Sequence, residues 1–399
     1  MKNLGGGRLI RRHPRIFFLS EDLPALKKYV THTMIDKGTL LDSLIKEAAT
    51  LLDEREFTIT YYGGKKVTFQ LPPVMPGRID EPPGFDYKTF GHYPYWTGMA
   101  GHIQGRLMNL SLAYVLTEDR RFAEKAILYS LSLSRWATWT DPEYGYPTCL
   151  DTGYLTIGLS TCFDLCYDEL DNEERERIVE GLVTLGLKPL LRNSKDRIDH
   201  NLQVLRNAAL GLGGLTISGD HDSEEFIEAS KEYFLWYLES RLSSSNFEGL
   251  GYGGFAMDYC LTFANALMLT VNDASLIKHK CVSEALPRMA VYFLSPDGSA
   301  VVNFSDSGYG IPYINSMRII SKRLGHPLAG WYLKKTNHLD GRGFTDIVFH
   351  DPRIKIKDPM DVPSSTLFPQ VGWVALRSGW EEKDVLIGFQ CSDSRMGHN

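Results

Sequence analysis

The sequence predicts a mainly α protein: an incomplete (α/α) toroid of antiparallel helix hairpins followed by the start of an antiparallel β-sandwich. Two observations predict the ring. Amphipathic helical runs follow one another from about residue 98 to 324, separated by short polar turns such as Thr117-Glu118-Asp119. Helices of a few turns joined in this way pack as antiparallel neighbours. A long series of them must stack as a solenoid or close into a ring, and no repeat of fixed length is visible, which favours the ring. The third observation is a change of texture near residue 345, where short β-type runs replace the helical period.

Taken in order, residues 1–12 form a loose basic arm and Ile16-Phe17-Phe18-Leu19 is extended. Ser20-Glu21-Asp22 starts a helix with acids in its first turn. A second helix covers about 36–54, and residues 57–71 alternate around Gly63-Gly64 as a β-hairpin. Residues 72–84 hold five prolines and make a rigid crossing. Helical runs are expected near 98–116, 119–137, 152–168, 171–187, 201–217, 223–241, 255–271, 276–294 and 312–324. Strands are expected at 345–349, 371–376 and 385–389, with Pro-rich linkage at 358–369. The domain reading is therefore 1–90 (arm, helices and hairpin), 91–340 (toroid) and 341–399 (beginning of a β-sandwich). A three-stranded stub leaves an open hydrophobic sheet, so the last domain is expected to continue beyond Asn399.

Composition narrows the function classes. At 399 residues the chain exceeds one ordinary core. Its net charge of −6 comes from 43 basic and 49 acidic residues mixed along the chain. No basic stripe points to nucleic acid. No apolar run approaches the ~20 residues of a membrane helix, and residues 1–15 lack the apolar core of a signal peptide. The six cysteines show no metal spacing, and Cys162 and Cys166, one helical turn apart, read as buried thiols. No metal ligands are assigned.

Three stretches carry chemistry. Arg197-Ile198-Asp199-His200-Asn201 sets an imidazole beside a carboxamide at the start of an apolar helix. The second is Glu248-Gly249-Leu250-Gly251-Tyr252, and the third Gly397-His398-Asn399. His200, Asn201, Tyr252 and His398 are read as the catalytic group of one sugar-cleaving site. Tyr93, Tyr95, Trp96, Trp139 and Tyr146, in or beside predicted loops, are read as sugar-stacking platforms, with Glu248 added to the substrate-binding set. The alternative is that half of these aromatics pack between helices. Arg106 and Arg197 are lesser candidates for a substrate anion, and Gln203 for orienting His200.

These stretches resemble the heparinase II/III-like polysaccharide lyases. His13-Pro14 leading to Phe17-Phe18 and Asp22-Leu23-Pro24 looks like the family's N-terminal opening. Arg106 to Leu116, followed by Asp119 to Ala126, looks like its first well-marked hairpin. More specific are the His200-Asn201 pair, the EGxxY segment from Glu248 to Tyr252, and GHN at 397–399 as the start of a GHxH-type segment. The resemblance implies a toroid with a C-terminal β-sandwich, and a cleavage site lined by His or Asn, Tyr and His at these three signatures. It implies an acidic polysaccharide partner, a glycosaminoglycan or alginate, and a periplasmic or secreted setting. Dermatan-sulfate epimerases share the architecture. The chain itself requires no cofactor; a structural zinc, where members hold one, would be completed by ligands beyond Asn399. Oligomeric state stays open.

The chemistry such a site needs is β-elimination. A base removes the C5 proton of a uronate, the 4-linked oxygen leaves, and a 4,5-unsaturated product forms. The carboxylate resists a second negative charge, so donors must hold it, by the logic of an oxyanion hole. Asn201 can donate an amide N–H, and His200 or His398 can add charge. If the proton and the leaving oxygen share a face, Tyr252 serves as base and acid; if not, His200 is the base and Tyr252 the acid. A uronyl C5-epimerase would use the same residues. A toroid glycoside hydrolase would need a pair of carboxyls, and Asp151, Asp199, Glu248 and Asp258 form no persuasive pair. A binding protein without catalysis is the remaining alternative.

Overall fold

The computed structural model describes residues 10, 12–35, 38–61, 64–77, 93–142, 150–244, 247–305, 307–308 and 310–391. Among them helices dominate, accompanied by three small antiparallel sheets. The chain divides into two compact units, residues 1–196 with 206–230, and residues 197–205 with 231–399. Helix Asn201–Ile217 therefore begins in the second unit and continues into the first, and helix Glu224–Ser243 runs the other way.

In the first unit the expected hairpin forms from strands Glu56–Tyr61 and Lys65–Gln70, with Phe57 opposite Phe69. Helices Tyr93–Thr117 and Leu150–Leu165 pack so closely that a Cβ on Gly158 would stand 3.2 Å from the Cα of Gln104. A side chain there would force the helices apart by a few tenths of an ångström, and glycine avoids that. Ile16, Phe17 and Phe18, read as extended, instead form buried bends.

Their position is set by Asp164, whose carboxylate accepts the backbone N–H groups of Arg15 and Ile16 at 3.0 and 3.1 Å. His13 Nδ1 lies 2.6 Å from the same carboxylate. The Arg15 guanidinium then donates to the carbonyls of Thr216 and Ser218 at 2.8 and 2.6 Å, placing a cation at the C-terminal end of helix Asn201–Ile217. That end carries the negative pole of the helix and its unpaired carbonyls. Truncating Asp164 leaves two buried N–H donors without their acceptor and removes the carboxylate charge that offsets the buried guanidinium. Asp164→Ala is expected to destabilise the first unit by about 3–5 kcal/mol, read as a shift of its transition in urea.

A second buried carboxylate sets a pH dependence. Asp151 accepts the N–H groups of Asp141 and Thr152 at 2.9 and 3.1 Å. Burial, helped by the neighbouring Asp141 charge, pushes its carboxyl up to about 7, against the pull of those donors. A carboxyl raised in the folded state contributes stability below its unfolded value of 3.8 and loses it as pH rises toward about 7. The loss amounts to about 1.4 kcal/mol per pH unit within that window. Subtracting the stability of Asp151→Asn from that of the wild-type protein should give a difference that falls between pH 4 and 7 and is flat above.

The second unit is built around helix Gly249–Val271. Its length and composition would suit a membrane, but 78% of its most apolar stretch is buried within the protein. Helix Ile314–Leu324 contributes to the same core, and Ser316 donates twice to the buried Asp258 carboxylate. Helix Pro327–Lys335, absent from the expected set, begins with the proline that suits a first helical turn.

Of residues 345–349, expected as a strand, 345–348 belong to helix Phe344–Val348 and Phe349 is its C-cap. Asp346 accepts the N–H of Gly343 at 2.9 Å and caps that helix, while Phe344, Ile347 and Val348 fall on its buried side. Strands Ser365–Phe368, Trp373–Arg377 and Leu386–Gln390 form one antiparallel sheet in that order. Trp373 on its inner face meets the rings of Phe247, Phe293 and Phe304 at 5.2, 5.5 and 4.8 Å. Leu367, Leu376, Ile387 and Phe389 on the other face are exposed.

Candidate active site

In the second unit, helix Asn201–Ile217 opens without a serine, threonine or aspartate cap, and Glu248 supplies what the sequence before it does not. The Glu248 carboxylate accepts the backbone N–H of Asn201 at 2.7 Å and the Asn201 side-chain amide at 2.8 Å. A carboxylate at a helix N-terminus satisfies an unpaired donor and meets the positive end of the helix dipole. The same carboxylate lies 3.4 Å from His200 Nε2. His200 Nδ1 accepts the N–H of Leu202 at 3.2 Å, so a neutral ring carries its proton on Nε2, toward Glu248.

Glu248 is held in this position by the tight turn at Gly249. Gly249 has φ +92°, and a Cβ there would stand 2.5 Å from Ser307 Oγ and 2.8 Å from the carbonyl of Phe304. Ser307 uses that space to accept the N–H of Gly251 at 2.9 Å, capping helix Gly249–Val271. Gly249 is thus a backbone requirement of the turn that presents Glu248. Tyr252 lies in the first turn of the helix.

Asn201 and Glu248 are 4% and 7% exposed, whereas Tyr252 is 37% exposed and the His200 side chain 40%. Glu248 fixes the Asn201 amide, whereas the His200 and Tyr252 side chains each meet solvent.

The 197–201 segment is anchored residue by residue. The Ile198 carbonyl accepts from Tyr233 Oη at 2.9 Å, and the Asp199 carboxylate pairs with the buried Arg241 guanidinium. Arg241 and Tyr233 were not among the residues singled out from the sequence. The signal was an arginine on a helical stripe of core aromatics, Tyr233, Tyr237 and Arg241, at four-residue spacing.

The other expected site residues divide. Tyr95, Trp96 and Trp139 are corrected to core residues of the first unit, at 2%, 1% and 1% exposure. Trp96 Nε1 donates to Tyr95 Oη at 3.0 Å, and Trp139 Nε1 to the Leu133 carbonyl at 3.0 Å. A ring enclosed on both faces offers no platform to a sugar. Tyr93 lies in the first turn of helix Tyr93–Thr117, while Tyr146 and His398 lie outside the described residues. Arg106 is held by Glu54 through bonds of 2.6 and 2.7 Å. Gln203 is buried. Glu248, expected to bind substrate, holds Asn201 and lies beside His200. Among the described residues no cluster of three or more His, Cys, Asp or Glu side chains forms a metal site.

Solved structures share this fold. Heparinase III matches 97% of the chain at TM-score 0.53 and 14% identity. A mutant of heparan sulfate lyase HepC from Pedobacter heparinus matches 93% at TM-score 0.53 and 12% identity. The fold is heparinase III-like. The unmutated HepC matches at TM-score 0.50. The chain spans about 61% of the heparinase III chain and 56% of the HepC chains. No family model matches the sequence, and no curated protein does. The resemblance first drawn from the His200-Asn201 and EGxxY segments thus holds at the level of a heparinase III-like fold, mainly helical with a small β region.

Proposed function

We propose that this chain carries the catalytic site of a polysaccharide lyase that cleaves a uronic-acid polymer, a glycosaminoglycan or alginate, by β-elimination. The observation that supports this most is the Glu248 carboxylate gathering Asn201 and His200 at the start of helix Asn201–Ile217, with Tyr252 in the first turn of helix Gly249–Val271. The (α/α) toroid and the β-sandwich belong to the same proposal.

In this reading the substrate carboxylate meets the second N–H of Asn201 Nδ2 and draws the His200 Nε2–H away from Glu248, and both hold charge as the C5–H bond breaks. The electron pair of that bond forms the C4=C5 double bond, the C4–O4 bond breaks, and the departing oxygen takes a proton from Tyr252. The His200 tautomer favours a donor role for this ring, since Nδ1 is occupied by Leu202 N–H. That supports the arrangement in which a Tyr252 phenolate removes the C5 proton and returns it to O4. A tyrosine hydroxyl ordinarily ionises near ~10 and needs a cationic neighbour to act as a base. His398 is proposed for that role by resemblance to the GHxH-type segment.

A hydrolase is less well supported. Asp258 is buried against Ser316, Asp199 is paired with Arg241, Glu248 holds Asn201, and Asp151 accepts two backbone N–H groups in the first unit. The deciding experiment incubates the protein with a panel of uronic-acid polysaccharides and follows near-ultraviolet absorbance. A rise on one polymer is the expected result. Solvent deuterium entering C5 without absorbance would make the protein an epimerase, and new reducing ends without absorbance a hydrolase.

A further inference from the structure

All the residues in question lie in the second unit. Arg241 sits in the last turn of helix Glu224–Ser243, on the stripe of Tyr233 and Tyr237, both buried. Its side chain is 9% exposed. The guanidinium carbon lies 5.3 Å from the centroid of the Tyr237 ring and 5.6 Å from that of Phe247. Burial draws its pKa down to about 10, although Glu248 is among the groups whose charge opposes that fall.

A cation in such a place is costly and contributes little net stability even when paired. An aliphatic side chain would fill the stripe with less penalty, so the position is better explained by what the arginine joins. Asp199 immediately precedes His200, and Phe247 immediately precedes Glu248. One planar guanidinium therefore holds both signature segments, the first by an ion pair and the second through the ring face.

We propose that Arg241 is a positioning residue that joins Asp199 to Phe247 and so sets the spacing at which Glu248 engages Asn201 and His200. It touches no substrate. The ion pair fixes the backbone one residue before the imidazole, and the ring contact fixes the backbone one residue before the carboxylate. Between them stand the 2.7 and 2.8 Å bonds that orient the Asn201 amide. Arg241 also lines a cavity of about 30 Å³ with Phe247, Cys281 and Tyr313. Truncating Arg241 enlarges that cavity by the volume of the lost side chain, leaving room for a free guanidinium ion.

The kinetic arm of the test rests on the lyase reading, while the exchange arm does not. Wild type, Arg241→Ala and Arg241→Lys are compared by amide hydrogen exchange without substrate. The expected result for Arg241→Ala is faster exchange confined to 198–204 and 247–252, with helix Ile314–Leu324 unchanged. Added guanidinium, at a concentration that does not denature, should restore protection, and Arg241→Lys should lie between. On a polymer that the wild type cleaves, kcat of Arg241→Ala should fall about a hundredfold, the scale of a small misplacement. KM should stay within roughly threefold, as expected when transition-state geometry is lost, and guanidinium should recover about tenfold of kcat. Unchanged exchange in both segments, loosening spread through the whole unit, or a loss that guanidinium does not repair would overturn the proposal. If Arg241→Ala does not fold, the same exchange comparison of Arg241→Lys with wild type decides. If the wild type cleaves no polymer, the lyase reading fails and the exchange result still decides the role of Arg241.

Discussion

Tyr252→Phe is expected to lower kcat for β-elimination by about 10²- to 10⁴-fold, the usual worth of a positioned acid or base. The ring stays, so its packing and the first turn of helix Gly249–Val271 are retained. Only a hydroxyl is lost, from a residue 37% exposed. KM and the melting temperature should therefore remain close to those of the wild type. Initial rates of near-ultraviolet absorbance over a range of polymer concentrations check the kinetic quantities, and thermal unfolding checks the third. Activity within a few-fold of wild type would move proton transfer away from Tyr252.

Glu248→Gln is the second large effect, and it acts on a different quantity. The carboxylate accepts two donors from Asn201, its backbone N–H and its side-chain amide, and has an acceptor oxygen for each. A carboxamide offers one acceptor and presents its own N–H₂ to the other donor. One buried donor is then left unsatisfied, at a cost of about 1–3 kcal/mol. The start of helix Asn201–Ile217 also loses a negative charge worth about 0.3–1 kcal/mol. With the Asn201 amide no longer fixed, kcat should fall by about two orders of magnitude. The melting temperature should fall with it, which separates this variant from Tyr252→Phe. Thermal unfolding measured by circular dichroism, beside the same absorbance assay, reads both. A variant with full activity and a lowered melting point would leave Glu248 a structural cap only.

Much of the secondary structure was legible because the signals are local. Helical periodicity located Asn201–Ile217 and Ile314–Leu324 closely, and alternation around Gly63-Gly64 located the strands at 56–61 and 65–70. Residues 345–349 misled because a short apolar run reads equally as strand or helix. The deciding residue was Asp346, which caps the helix at Gly343 and pairs with Arg318 at 2.9 Å. The aromatics at 95, 96 and 139 misled for a related reason. Sequence gives an aromatic's neighbours along the chain but not the layer that closes over it, and Trp96 is covered by rings such as Trp136, 6.3 Å away.

At the site, the pairing of His200 and Asn201 with the EGxxY segment was visible as motif. The role of Glu248 was not, since a carboxylate that caps a helix 47 residues earlier leaves no local spacing to read. Arg241 was hidden in the same way, its pairing with Asp199 crossing more than forty residues. Its one local mark was a charge set on a stripe of buried rings.

The most direct test of the central claim is a structure of Tyr252→Phe with a bound uronic-acid oligosaccharide. The predicted result places one uronate carboxylate about 2.7–3.2 Å from Asn201 Nδ2 and His200 Nε2, with the 4-linked oxygen facing residue 252. An oligosaccharide bound elsewhere, with the Asn201 amide still covered and no carboxylate within reach of it, would contradict the account.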